Sequence, residues 1–167
     1  MKSFIAGIVV GWVVLFLAIY LFVRAGGMPV ATSSPPFPLE KFLVRTAMHA
    51  AFRNAEDLKA PIEATEANLL AGAKLYKTDC AFCHGLPGAP KTDATVVFFP
   101  PNPQLYRHMV DDDPVGETYM KVKEGIRLSG MPAFVKVYSD EQLWQVSLLL
   151  SKGKEVPPAI LRELSAK

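Results

Sequence analysis

Residues Phe4 to Val23, FIAGIVVGWVVLFLAIYLFV, run for twenty positions without a charge. As a helix rising about 1.5 Å per residue, this run spans a hydrocarbon core of about 30 Å. Lys2 and Arg24 flank it, Trp12 lies mid-span, and Tyr20 can reach the far interface. A cleaved secretory signal is the competing reading. The apolar region is long for one, and no small-x-small cleavage site follows closely. The expectation is a retained single-span anchor over residues 1–24, and hence membrane as one partner. The rest of the 167-residue chain is long enough for one compact domain. The formal net charge of +2 shows no nucleic-acid footprint. Charge leaves the orientation open, because Lys2 and the terminal amine on one side face Arg24, Lys41 and Arg45 on the other.

Residues 25–64 read as a connection. Its first part, to Pro38, is dominated by Gly, Ser and Pro and has polyproline character. Residues 40–56 have helix-forming composition, with Phe42, Leu43, Thr46, Ala47, Ala50 and Ala51 on one face. That helix either lies on the membrane surface or packs on a partner, and Pro61 is expected to end it.

A compact domain is expected over residues 65–167. Thr65 is placed to cap a helix in which Leu69, Gly72, Ala73, Tyr76 and Cys80 recur at helical spacing; its small residues suit a close helix crossing. GLPGAP breaks that helix. Residues 92–115 read as loop, 114–127 as a second helix, and SGMPAF at 129–134 as a loop. Ser139 opens a further helix with Gln142 completing a capping box and Gly153 as its stop. No strand pattern is convincing, so the fold class is all-α.

The chain has two cysteines, and both fall in CAFCH, as Cys80 and Cys83, followed by His84. A disulfide between them would close too short a loop to stabilise much. A thioredoxin-like pair needs a βαβ context that is missing. A zinc site needs four ligands, and adding His49 or His108 gives no usual finger spacing. Covalent haem attachment fits best. Cysteines at i and i+3 lie on one side of a helical turn. Each thiol can add to one vinyl group of the same haem edge, and His84 can then reach the iron.

A second axial ligand is wanted. The candidates are His49, His108, Met48, Met109, Met120 and Met131. Most methionines are core filler. Met131 is favoured, because Gly130 and Pro132 hold it in a restrained loop. His49 precedes the domain, and His108, in LYRHMV, is the nearest rival.

CAFCHG, GMPAF and SDEQLWQVSLLL together resemble a class I c-type cytochrome, of the membrane-anchored bacterial monohaem kind related to the cytochrome c subunits of cbb3-type oxidases. The resemblance covers about Thr65 to Lys154. It implies a cytochrome c fold with one N-terminal transmembrane helix, and one haem c on Cys80 and Cys83. It also implies His84 and Met131 as the iron ligands, and a crossing where Gly72 and Tyr76 meet Leu143 and Trp144. FFPPNPQL is longer and more proline-rich than in the shortest cytochromes and is expected to border the haem edge. Haem attachment in this family takes place outside the cytoplasm. That implies an inner-membrane protein with its C-terminal haem domain on the periplasmic side.

Iron held by His and Met on both faces has no open position, so the chain is expected to be an electron carrier rather than an enzyme. Its partners would be redox proteins or a membrane electron-transfer complex in a respiratory or photosynthetic chain. A fixed subunit of a larger oxidoreductase complex is the alternative, and a ligand-binding or peroxidase-like haem protein a more distant one. From Thr65 onward twelve basic residues balance twelve acidic ones, so charge does not choose the partner. Asp111 to Asp113 are read as a solvated helix start. Lys121, Lys123 and Arg127 form a modest basic group near the Met131 loop, with Arg127 a candidate partner for a haem propionate.

Overall fold

The computed structural model describes residues 1–107 and 113–166. His108, Met109, Asp111 and Asp112, on which the sequence placed a rival ligand, a methionine candidate and most of a helix start, lie outside the described residues. Among the described residues every regular element is helical. The chain divides into two compact units, Met1–Leu43 and Val44–Lys167.

In the first unit, α1 (Lys2–Arg24) has no buried residue and is long and apolar enough to cross a membrane. Its last turn meets the connection that follows. The Phe37 ring lies edge-on to Phe22 with centroids 6.1 Å apart. α2 (Glu40–Phe52) opens in this unit.

In the second unit α2 gives way to a 3-10 turn, Arg53–Ala55, six residues before Pro61. Tertiary packing ends the helix before the proline can. Ala55 is buried, and its carbonyl sits where a Cβ on Gly116 would lie 2.1 Å away. α3 (Glu66–Leu75) starts as the sequence indicates, with the Thr65 hydroxyl accepting the Asn68 N–H at 3.3 Å. It does not continue as an α-helix to Cys80. Tyr76–Cys80 widens into one π-turn before α4 (Ala81–His84), the kind of bulge that collects at functional positions. Within the expected loop, Ala94–Val97 makes a short α5. α6 (Val115–Glu124) ends three residues short of the expected 127. Gly125 adopts φ +67 there and turns the chain out of the helix.

α7 (Asp140–Lys152) carries both halves of the capping box. The Ser139 hydroxyl accepts the Gln142 N–H at 3.3 Å, and the Gln142 side chain accepts the Ser139 N–H at 2.9 Å. Gly153 stops it at φ +53. Past that stop, a helix the sequence reading left out, α8 (Pro158–Ser165), packs on α3. It buries Ile160 and Leu164 completely, each contributing about 2 kcal/mol.

The core lies among α3, α6, α7 and α8. Leu69 and Ala73 of α3, with Tyr76 at the start of the π-turn, share one cluster with Leu143, Val146 and Leu150 of α7. Gly72 is the point of closest approach, where a Cβ would lie 2.3 Å from the Gln145 carbonyl oxygen. Trp144 stacks on Tyr119 of α6 with centroids 3.8 Å apart and planes 4° off parallel, an arrangement contributing about 1 kcal/mol beyond burial.

The Tyr119 hydroxyl donates to Asp140 at 2.8 Å, and the Lys123 ammonium reaches the same carboxylate at 2.9 Å. Lys123, then Tyr119, hold the Asp140 carboxyl below its usual range. A carboxylate with a lowered folded pKa stabilises above its unfolded value, near 4, and the effect fades as pH falls through the folded value. Thermal melts of Asp140→Asn are therefore expected to lie slightly below wild type at pH 7 and to converge with it toward pH 3. The side chain is exposed, so the gap at pH 7 is small. A gap that persists at low pH would show that the carboxylate charge is not its source.

Candidate functional site

CAFCH occupies one tight turn. Cys80 closes the π-turn, and Cys83 and His84 lie on α4. Both thiols are free and half-buried, so the short disulfide does not form. Burial, with Asp79 and Cys83 adding to it, pushes the Cys80 thiol up to about 12. Asp79 itself accepts a hydrogen bond from the Tyr138 hydroxyl. Among the described residues no three Cys, His, Asp or Glu side chains gather as a metal site.

His84 is oriented by a carbonyl. Its Nδ1 lies 2.8 Å from the Pro103 oxygen. A carbonyl can only accept, so Nδ1 carries the proton and Nε2 keeps its lone pair. Burial lowers the His84 pKa, with the Pro103 contact opposing it, so the ring stays neutral. A neutral imidazole with one nitrogen pinned by a hydrogen bond is the usual state of a metal-binding histidine.

The proline-rich loop supplies more than Pro103. The Cys83 carbonyl accepts from Thr92 Oγ1 at 2.9 Å, from Gln104 Nε2 at 2.8 Å, and from the Asn102 amide. The Leu105 N–H donates to the His84 carbonyl at 3.1 Å. Gly85 leaves the turn at φ +76, where a Cβ would also crowd Gln104 Oε1 at 2.8 Å, and its carbonyl accepts the buried Tyr76 hydroxyl at 2.7 Å. The backbone of CAFCHG is thus held from α3 on one side and from residues 92–105 on the other. Sequence reading placed FFPPNPQL near the site but did not assign these contacts. They join residues about twenty positions apart in irregular chain, where no periodicity marks them.

Met131 lies in the loop between α6 and α7 and packs, half-buried, on the same core cluster as Cys80. Its N–H donates to Ser129 Oγ at 3.1 Å, and its carbonyl accepts the Ile126 N–H at 3.2 Å. Gly130 is covered by the Phe98 ring, which a Cβ would meet at 2.7 Å. Residues 92–105 therefore touch both the CAFCH turn and the methionine loop. Arg127 lines a surface recess of about 360 Å³ together with Ser129 and Met131. Among the described residues, the other candidates sit elsewhere. Met120 packs into the core from α6, while Met48 and His49 lie on α2.

The donor set is two free thiols, an imidazole with a free Nε2, and a restrained thioether, and it fits haem. Residues 67–148 match the family described as cytochrome C oxidase, cbb3-type, subunit III. The chain carries a c-type cytochrome domain. It has the all-α fold of that class, and haem iron and electron transport are the chemistry of that class. No curated protein matches the cytochrome. Among solved structures, a chain of the Kuenenia stuttgartiensis reducing HAO-like protein complex is similar to it, at 24% identity and a TM-score of 0.47. The match covers 56% of this chain and 47% of that one, so the cytochrome spans less than half of that chain's length.

Proposed function

We propose that this cytochrome is a membrane-anchored carrier of single electrons with one haem c. Residues 1–24 are the anchor, 25–64 the connection, and 65–167 the haem domain. Cys80 and Cys83 would hold the haem as thioethers, and His84 Nε2 and Met131 Sδ would ligate its iron. Bound haem supplies a one-electron couple, and thioether ligation favours the ferrous form relative to a second histidine. The chain's own residues do the rest. Pro103 fixes the His84 ring, Thr92, Asn102 and Gln104 fix the Cys83 backbone, and Ser129 and Phe98 fix the methionine loop. With His84 and Met131 both on the iron, oxygen and peroxide would find no open position, and the chain would carry electrons rather than catalyse a reaction. The haem domain faces the periplasm of a respiratory or photosynthetic membrane.

The observation that supports this reading is the His84–Pro103 contact at 2.8 Å, which leaves the histidine of CAFCH with one committed and one free nitrogen. Acid–organic extraction tests it. Haem is expected to stay with the polypeptide, and Cys80→Ala is expected to leave one thioether or to block maturation. Haem that extracts freely from wild type would overturn covalent attachment.

A second reading has the cytochrome as a fixed subunit of a larger oxidoreductase complex. The description of the matched family, a subunit of a cytochrome c oxidase, favours it. Purification from native membranes separates the two. A fixed subunit comes out with its partners at constant stoichiometry, and a carrier comes out alone.

A further inference from the structure

The first unit holds an apolar surface that haem binding does not use. The thirteen steps from Arg24 to Phe37 could extend about 45 Å, yet they return the Phe37 ring to Phe22, in the last turn of α1. Gly27 lies under the Phe22 ring, where a Cβ would meet it at 2.3 Å. The turn that follows is built deliberately. The Phe37 N–H donates to the Glu40 carboxylate at 2.8 Å, and the Glu40 N–H donates to the Phe37 carbonyl at 3.0 Å. Leu39 adopts φ +68, a conformation a leucine rarely takes.

That turn displays apolar side chains. Leu39 is 71% exposed, Phe42 65% and Leu43 57%, with Lys41 between them and Arg24 at the end of α1. Burying three such groups is worth several kcal/mol, and a basic residue among them suits anionic headgroups. The position of the cluster names its occupant. The Phe37–Phe22 contact ties it to the last turn of α1, where headgroups would begin if α1 spans a bilayer. We propose that residues 37–43 form an interfacial foot. Leu39, Phe42 and Leu43 enter the acyl boundary beside α1, and Lys41 and Arg24 meet lipid phosphates. A second copy or a partner protein would not need the Phe37–Phe22 return. The foot rests on α1 being an anchor, and it gives the anchor a fixed footing on the membrane surface rather than a free tether.

Spin-label accessibility in the full-length, haem-loaded chain tests it. The chain is reconstituted in vesicles of phosphatidylethanolamine and phosphatidylglycerol, and nitroxide is placed at Leu43→Cys or, separately, at Val10→Cys. Wild type treated with the same label checks that Cys80 and Cys83, bound to haem, take up none of it. Both labelled sites are expected to relax faster with oxygen than with a water-soluble nickel chelate, Val10 more strongly. If Leu43 favours nickel while Val10 favours oxygen, the foot is wrong and the anchor stands. If both favour nickel, α1 does not span and the foot falls with it. If Leu43 is shielded from both reagents, protein covers the patch and the lipid assignment is overturned.

Discussion

Gly72→Ala is expected to destabilise the haem domain by about 2 kcal/mol. An alanine normally helps a helix interior by about 1 kcal/mol relative to glycine, so the sign of the change is diagnostic. Here the new methyl would lie 2.3 Å from the Gln145 carbonyl oxygen and 2.7 Å from its carbon. Those atoms are α7 backbone and cannot rotate away. α3 and α7 must part by about an ångström, and that opens the cluster around Leu69, Ala73, Leu143 and Val146. Overpacking of a fixed contact costs about 1–3 kcal/mol or more, which outweighs the helix gain. Gly72→Val should cost more again, since it adds two methyls and a β-branch. The check is a denaturant melt of the haem-loaded protein. A midpoint that rises for Gly72→Ala would mean the helices do not cross as closely as the structure places them.

The same crossing shows what the sequence could and could not say. Gly72 was readable as a close approach because it sits among small residues at helical spacing. The Thr65 cap, the Ser139–Gln142 box and the Gly153 stop were readable because each is a short-range signal with one physical cause. The apolar run at 4–23 was readable as one long helix, and CAFCH as a mark of the c-type cytochrome family, because few other structures or chemistries use such stretches. What escaped was set at longer range. The early end of α2 depends on Ala55 docking against Gly116, sixty-one residues away. The π-turn at Tyr76–Cys80 leaves no mark in a 3.6-residue pattern. The grip of Thr92, Asn102 and Gln104 on the Cys83 carbonyl comes from loop residues that read only as polar punctuation. Two omissions had local signals. Gly125 follows Lys121 and Lys123 as a helix stop should, and Pro157–Pro158 ahead of Ile160, Leu161 and Leu164 is a helix start with its apolar face.

Met131→Ala is expected to convert a six-coordinate, low-spin ferric haem into one that is at least partly high-spin, with water or added small ligands taking the vacated position. The structure gives the methionine little freedom to be replaced from nearby. Its N–H is held by Ser129, its carbonyl by Ile126, and Gly130 lies under the Phe98 ring, so the backbone should stay where it is when the thioether is removed. Truncating a half-buried methionine should cost about 2 kcal/mol of stability, which should leave the domain folded, because on the proposed reading Cys80, Cys83 and His84 would still hold the haem. Met131→His should restore six-coordination and lower the potential, since imidazole favours ferric iron more than thioether sulfur does. The pair of variants separates ligation from packing: a methionine that only fills space would lose stability in both without changing spin state in the first or potential in the second. The measurement is the ferric spectrum with a redox titration on wild type and both variants. If Met131→Ala leaves spectrum and potential unchanged, the ligand is another residue, with His108 the next to test, and the high-potential carrier reading loses its basis.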